Sequence, residues 1–315
     1  MFNYDTEPMK IKIRIILFIV LVFPCSVFPQ QQSAGNVKST VRLAMAQMLV
    51  EGGNKQANLD RAVQRIEEAA GNGAHIILLP EAMDLGWTHS SALTEAGPVP
   101  GGSTFKKLAR AAKKNKIYVC AGIIEKDGNN IYNSAVLINS KGELVLKHRK
   151  LNELDIAHSL YAQGDVVNVC ETEFGTIGLL ICADARAKDF MLTRTLGYLG
   201  ADLILLPSSW AVEPAFDNTK TPYINSGWQD AFNAVCREFN LSIAAVSNVG
   251  IVTDGPWKDW RCIGNSLFVS ENPEKFTVLP YGEKADTILY QDVRLLERPA
   301  RGNSWYNYWG SMGKK

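Results

Sequence analysis

Apolar residues between positions 41 and 50 predict a buried strand near the start of the chain. Leu59, Ala62, Val63, Ile66, Ala69 and Ala70 then recur at helical spacing, and Gly71 and Gly73 end that helix. Residues 76–79 are apolar throughout and read as a second strand, stopped by Pro80. Ser103 is placed to cap a basic amphipathic helix reaching about Asn115, and 117–124 is the next strand. Asp127-Gly128 and Lys141-Gly142 are turn signals on either side of 132–138, and a strand over 143–146 extends this meander. Further on, strands at 177–182, 203–206 and 243–247 are separated by helices around 190–199 and 228–239. Two short strands, near 267–269 and 288–290, precede an aromatic tail with Trp305, Tyr306, Tyr308 and Trp309.

Strands alternating with helices, mixed with hairpins, indicate an α/β protein with helices covering sheets. Gly73-Ala-His-Ile-Ile-Leu-Leu-Pro80 is echoed by Gly200-Ala-Asp-Leu-Ile-Leu-Leu-Pro207. The echo suggests two similarly built halves whose sheets face one another. A shared helix–Gly–strand pattern alone would also produce it. No Pro/Ser/Gly-rich linker separates the halves, so one domain is expected.

The first thirty residues change the picture only at the N-terminus. Lys10, Lys12 and Arg14 precede the apolar run 15–23, and Pro24, Cys25, Ser26 and a glutamine tract follow. Residues 1–30 are expected to be a cleaved signal peptide, which implies a secreted or periplasmic protein. The run is short for a membrane span. Residues 22–24 make a poor lipobox, which argues against lipid anchoring at Cys25. Without this segment the chain carries 30 basic and 30 acidic residues. That balance, with no basic–aromatic stripe, gives no reason to expect nucleic acid as a partner. Cys120, Cys170, Cys182, Cys236 and Cys262 then remain. None forms a C-x-x-C pair, the four histidines have no metal-ligand spacing, and the odd count leaves at least one thiol unpaired. No metal is expected.

Three positions carry candidate chemistry. Glu81 directly follows a strand too apolar to face water, and ligands of α/β sheets gather beyond the carboxyl ends of strands. A helix-capping or solvated acid is the plain alternative. Cys182 ends Gly178-Leu-Leu-Ile-Cys182, where a strand-to-helix turn would lift a nucleophile out of the sheet. A buried structural cysteine would look the same. Lys150 closes the run Lys147-His148-Arg149-Lys150, a pattern more often found on a solvated edge.

Together these positions resemble the nitrilase, or carbon–nitrogen hydrolase, superfamily. The likeness lies in Leu79-Pro80-Glu81, His148-Arg149-Lys150-Leu151 and Gly178–Cys182-Ala183-Asp184, in the family's order. It extends to Tyr161–Asp165, Leu206–Trp210, Ser247–Gly250 and Gly264–Ser266, and spans about residues 41–293. Residues 294–315 are left as a C-terminal tail. The resemblance implies a four-layer αββα sandwich, no cofactor, and a catalytic Glu81, Lys150 and Cys182. Cys182 would form a thioester, Glu81 would move protons, and Lys150 with the Ala183 backbone N–H would hold the oxyanion. A free thiol ionises near pH 8.5, so a nearby ammonium and a base would be needed to supply thiolate.

Many relatives carry a second glutamate seven or eight residues after the lysine, where this chain has Ala157 and His158. Glu153 is the nearest substitute, with Asp155 also within reach of the same turn. Ala183-Asp184 after the cysteine resembles amidase and carbamoylase branches more than true nitrilases, which usually have Trp-Glu there. The expected substrate is a small amide or N-carbamoyl compound. Arg186 matches an arginine of ω-amidase-like and carbamoyl-amino-acid hydrolases, and a guanidinium there could grip a carboxylate. An ion pair with Asp184 or Asp189 is the alternative. Trp87, Trp210 and Asn248 are further candidates to line the pocket, against a plain core role for the two aromatics. Nitrile hydrolysis, N-acyl transfer and a non-catalytic scaffold of the same fold remain alternatives. Relatives commonly assemble as dimers or larger spirals, so a homo-oligomer is expected.

Overall fold

The first predicted strand is β1 (Val37–Gln47), and it explains the unusual density of apolar residues there. Val41, Leu43 and Met45 enter one apolar layer, whereas Ala44 and Ala46 enter another on the opposite face. A strand covered on both faces has no side left for water, so its sequence does not alternate. This computed structural model describes residues 36–272 and 276–299, with residues 302, 303, 307 and 308. The expected signal peptide, Cys25, and Trp305, Tyr306 and Trp309 of the aromatic tail lie outside the described residues.

Three layers of core divide the molecule. One six-stranded sheet contains β1, β2 (Ile76–Leu78), β3 (Tyr118–Asp127), β4 (Asn130–Ile138) and β5 (Leu144–Arg149), with β15 (Thr287–Leu296) at its far edge beside β1. The other contains β6 (Val169–Glu171), β7 (Thr176–Leu179), β8 (Leu203–Ser208), β10 (Ser242–Ser247), β13 (Leu267–Val269) and β14 (Phe276–Val278). Between the sheets lie Leu43, Ile76, Leu78, Leu179, Leu205 and Val246, all fully buried. Helices α1 (Lys55–Gly71) and α3 (Ser103–Asn115) cover the outer face of the first sheet, through Ile66 and Leu108. Helices α4 (Met191–Tyr198) and α5 (Trp228–Phe239) cover the second, through Leu196 and Phe232. The fold is the αββα sandwich. A small sheet of β9 (Ala211–Val212), β11 (Val249–Ile251) and β12 (Arg261–Ile263) and a one-turn helix α2 (Ala92–Glu95) sit among the loops.

The two echoed segments become β2 and β8, one in each sheet. Their ends meet: the Glu81 N–H, one residue past Pro80, donates to the Ser208 carbonyl, one residue past Pro207, at 3.2 Å.

Two local expectations need correction. Ser103 is the first helical residue of α3 rather than its cap, and Gly102 takes that place in extended backbone. A Cβ at 102 would meet the Pro98 carbonyl oxygen at 2.7 Å, so the tight approach of that turn selects glycine. The strand expected over 288–290 runs from Thr287 to Leu296 and pairs antiparallel with most of β1, three residues into the expected tail. Gln291, Asp292 and Arg294 interrupt its apolar pattern because its outer edge is exposed; Val293 and Leu295 still point into the central layer.

Candidate active site

Glu81 is placed by a close backbone approach. The loop after β2 lies against β3, where Gly122 N–H donates to the Pro80 carbonyl at 3.0 Å and Met83 N–H to the Gly122 carbonyl at 2.9 Å. A Cβ on Gly122 would stand 2.5 Å from the Glu81 Cα, so only glycine lets the loop sit there. The Glu81 side chain is 1% exposed.

Lys150 follows β5 and is equally buried. Its Nζ lies 2.8 Å from Glu81 Oε1 and 2.9 Å from Glu153 Oε1. Asn133 on β4 completes the cluster, its Nδ2 donating to Glu81 Oε1 at 2.7 Å and to Glu153 Oε2 at 3.2 Å. Burial pushes the Glu81 carboxyl up, and Lys150 only partly reverses that. Burial also opposes the charge of Lys150, but Glu81, Glu153 and Cys182 outweigh it and hold the ammonium well above its ordinary range. Lys150 is therefore a fixed positive charge throughout the physiological range.

Cys182 stands three residues beyond Leu179, the end of β7, with φ +44°. A non-glycine residue in this left-handed region marks a sharp turn, here the start of a 3₁₀ turn over Cys182–Arg186. Unlike Cys120, Cys236 and Cys262, it is only partly buried, and all five described cysteines are free. Burial raises the thiol pKa, the Glu81 charge raises it further, and Lys150 with the Ser209 backbone N–H lowers it less. Burial and the Glu81 carboxylate thus oppose the thiolate more than Lys150 favours it, so of the ammonium and the base expected to act on the thiol, the ammonium does not suffice by itself.

The remaining candidates divide. Glu153 joins the cluster directly. Ala183 follows the nucleophile in the same turn. Arg186 is exposed and pairs with neither Asp184 nor Asp189; its guanidinium carbon lies 5.2 Å over the Trp228 ring. Trp210 is core as well as neighbour, stacked on Trp228 at 4.9 Å. The Trp87 ring lies 5.7 Å from Lys150 Nζ, and Trp87, Asn248, Ser209 and Cys262 share a small cavity beside the site. Asp155 forms no ion pair with Lys150 and sits in a separate 3₁₀ turn over Asp155–Ala157.

Sequence reasoning missed Asn133, Ser209 and the central role of Asp184. Asn133 was findable, because Asn133-Ser134 breaks an otherwise apolar strand and a buried polar pair demands partners. Among the described residues no His, Cys, Asp and Glu group is arranged to hold a metal.

Comparison with known proteins gives a consistent picture. A family model described as carbon–nitrogen hydrolase matches residues 42–295. The omega-amidase NIT2 of Bos taurus is 33% identical over 271 residues, which cover 82% of this chain and 90% of that protein. Nitrilase homolog 2 of Dictyostelium discoideum is 29% identical over 259 residues, 78% of this chain and 73% of that protein. A carbon–nitrogen hydrolase from Helicobacter pylori superposes with a TM-score of 0.72 at 17% identity, covering 88% of this chain and 92% of that one.

Proposed function

Since the chain belongs to the carbon–nitrogen hydrolase family, we propose that it hydrolyses a small amide or N-carbamoyl compound bearing a carboxylate, through a thioester on Cys182. The observation that carries this reading is the buried Lys150 held between Glu81 and Glu153 at 2.8 and 2.9 Å beside a cysteine turned out of its strand. A scaffold has no use for three buried ionisable groups, each costly to bury, arranged around a thiol.

The chemistry follows from the electrostatics. Burial and the Glu81 charge favour the thiol form of Cys182, so Glu81 takes its proton as the sulfur attacks the carbonyl carbon. A carboxyl raised by burial suits that task, because its basicity lies closer to neutral pH. The negative charge developing on the carbonyl oxygen is held by the Lys150 ammonium and the Ala183 N–H. Glu81 then returns the proton to the departing nitrogen, the C–N bond breaks, and the thioester remains. In the second half Glu81 takes a proton from water, whose oxygen attacks the thioester carbon; the C–S bond breaks and the sulfur recovers a proton. Glu153 and Asn133 keep Glu81 and Lys150 in place.

Two features support the substrate class. Arg186 lies on the nucleophile's own turn and has no carboxylate partner among the described residues, so it is available for a substrate carboxylate. Likeness to an omega-amidase over 82% of this chain and 90% of that protein points the same way.

The test is ammonia release across a panel of amides, N-carbamoyl amino acids and nitriles, with Cys182→Ala as control. Release from carboxylate-bearing amides or carbamoyl compounds, abolished in the variant, is expected. Release from nitriles alone, or activity that survives the Cys182→Ala change, would overturn the proposal.

A further inference from the structure

The nucleophile and the charged cluster come from different sheets. Cys182 follows β7 in one, and Lys150 follows β5 in the other. Nothing in the central apolar layer sets their separation to the tolerance that proton transfer requires, because dispersion contacts are soft and non-directional.

Asp184 is built to supply that missing constraint. It is fully buried, two residues after Cys182, and three of the four hydrogen bonds to its carboxylate reach the loop around Lys150, the fourth holding its own loop. Oδ1 accepts from the backbone N–H groups of Leu151 at 3.0 Å and Asn152 at 2.7 Å, the two residues directly after Lys150. Oδ2 accepts from the Ile181 N–H at 3.0 Å, directly before Cys182, and from His148 Nε2 at 2.7 Å, two residues before Lys150. The Asn152 side chain returns the tie, its Nδ2 donating to the Ala183 carbonyl at 2.7 Å. Four donors on one carboxylate thus bracket both Lys150 and Cys182 in sequence.

We propose that Asp184, supported by His148, is a positioning residue that sets the distance between the Cys182 sulfur and the Lys150–Glu81 pair. The inference rests on the catalytic reading above. It touches neither substrate nor sulfur itself; its effect is on geometry. Charge-assisted bonds at these lengths are directional and short, which is what a strut between two sheets needs. An asparagine at 184 keeps one carbonyl oxygen for Leu151 and Asn152 but turns an N–H₂ group toward the Ile181 N–H, so one side of the strut becomes repulsive.

The test separates positioning from simple stability. Asp184→Asn, His148→Leu and His148→Gln are compared with the unaltered enzyme by active-site titration, single-turnover acylation and Cys182 alkylation by iodoacetamide against pH. Displacements of about 1 Å cost about 100-fold in rate, so acylation per titrated site falls by about that factor in Asp184→Asn while KM barely moves. The alkylation profile of Asp184→Asn shifts, because the sulfur no longer feels the same charges. His148→Gln, which retains a donor of similar reach, stays close to the unaltered enzyme, whereas His148→Leu follows Asp184→Asn. If Asp184→Asn does not fold, the two His148 variants decide the matter by themselves. Unchanged acylation per titrated site, with only the folded fraction or Tm reduced, would overturn the proposal. That result would leave the catalytic reading standing, since only activity surviving in Cys182→Ala strikes at it.

Discussion

Replacing Lys150 with methionine tests the electrostatics of the site most directly, because the two side chains have similar length and only the ammonium is lost. In the native cluster one positive charge, 2% exposed, faces carboxylates at 2.8 and 2.9 Å. Without it, the Asn133 amide is the one donor the two carboxylates share, and Glu153 keeps the Leu154 N–H besides. Two buried carboxylates left without a counter-ion are strongly destabilising, and removal of one partner from a buried pair costs about 3–5 kcal/mol. For a chain of this size that is a fall in Tm of about 10 °C. The sign with pH is decisive. In the variant the Glu81 carboxyl, already raised by burial, loses the charge that lowers it, so its contribution is intact below its ordinary carboxylate range and is lost as pH rises through the raised folded value. The unaltered protein keeps its ammonium through this range, since that group is raised above its ordinary value. The deficit of the variant is therefore largest at pH 8 and shrinks toward pH 5. Urea unfolding at both pH values measures it, and ammonia release gives the accompanying loss of about 100- to 1000-fold in kcat for one oxyanion donor. A deficit under about 1 kcal/mol, the level of an exposed ion pair, or one independent of pH would refute the reasoning.

Three further outcomes are expected. Glu153→Gln keeps the shape but loses one of the two carboxylates on Lys150, so kcat falls while the protein stays folded; unchanged turnover would remove Glu153 from the site. Arg186→Leu raises KM for a carboxylate-bearing substrate by roughly 10- to 100-fold, the worth of charge-assisted hydrogen bonds, and leaves an uncharged amide unaffected; equal effects on both substrates would count against a carboxylate contact. Asp84, buried and pushed up to about 6 from 3.8, contributes stability that is present below pH 3.8 and lost as pH rises toward 6. Asp84→Asn can still accept from Leu85 and Ile124 and donate to Thr104, so its stability between pH 4 and pH 8 changes by about 3 kcal/mol less than that of the unaltered protein, measured by urea unfolding.

The boundary between what was legible early and what was not follows the range of each interaction. Apolar periodicity marks most of the strands and helices because it is a local property, and the Gly73–Pro80 echo even indicates two facing sheets. Glu81 and Cys182 could be singled out because each sits just past the end of an apolar strand, where polar residues have few structural reasons to be buried; Lys150, closing a basic run, was marked mainly by the family resemblance. Partnership across the sheets was not legible. That Glu153 rather than Asp155 reaches Lys150, that Asn133 bonds both carboxylates, and that Arg186 leaves Asp184 alone all depend on how two loops from different sheets are brought together. The thiol shows the limit most clearly. Residue types alone call for an ammonium and a base beside it, and only their placement shows that burial and the Glu81 carboxylate raise its pKa more than Lys150 lowers it. A chain by itself determines which surfaces must be buried; only the packed structure decides which charges end up within 3 Å of each other, because Coulomb energies vary steeply with distance and dielectric, and neither is a property of sequence.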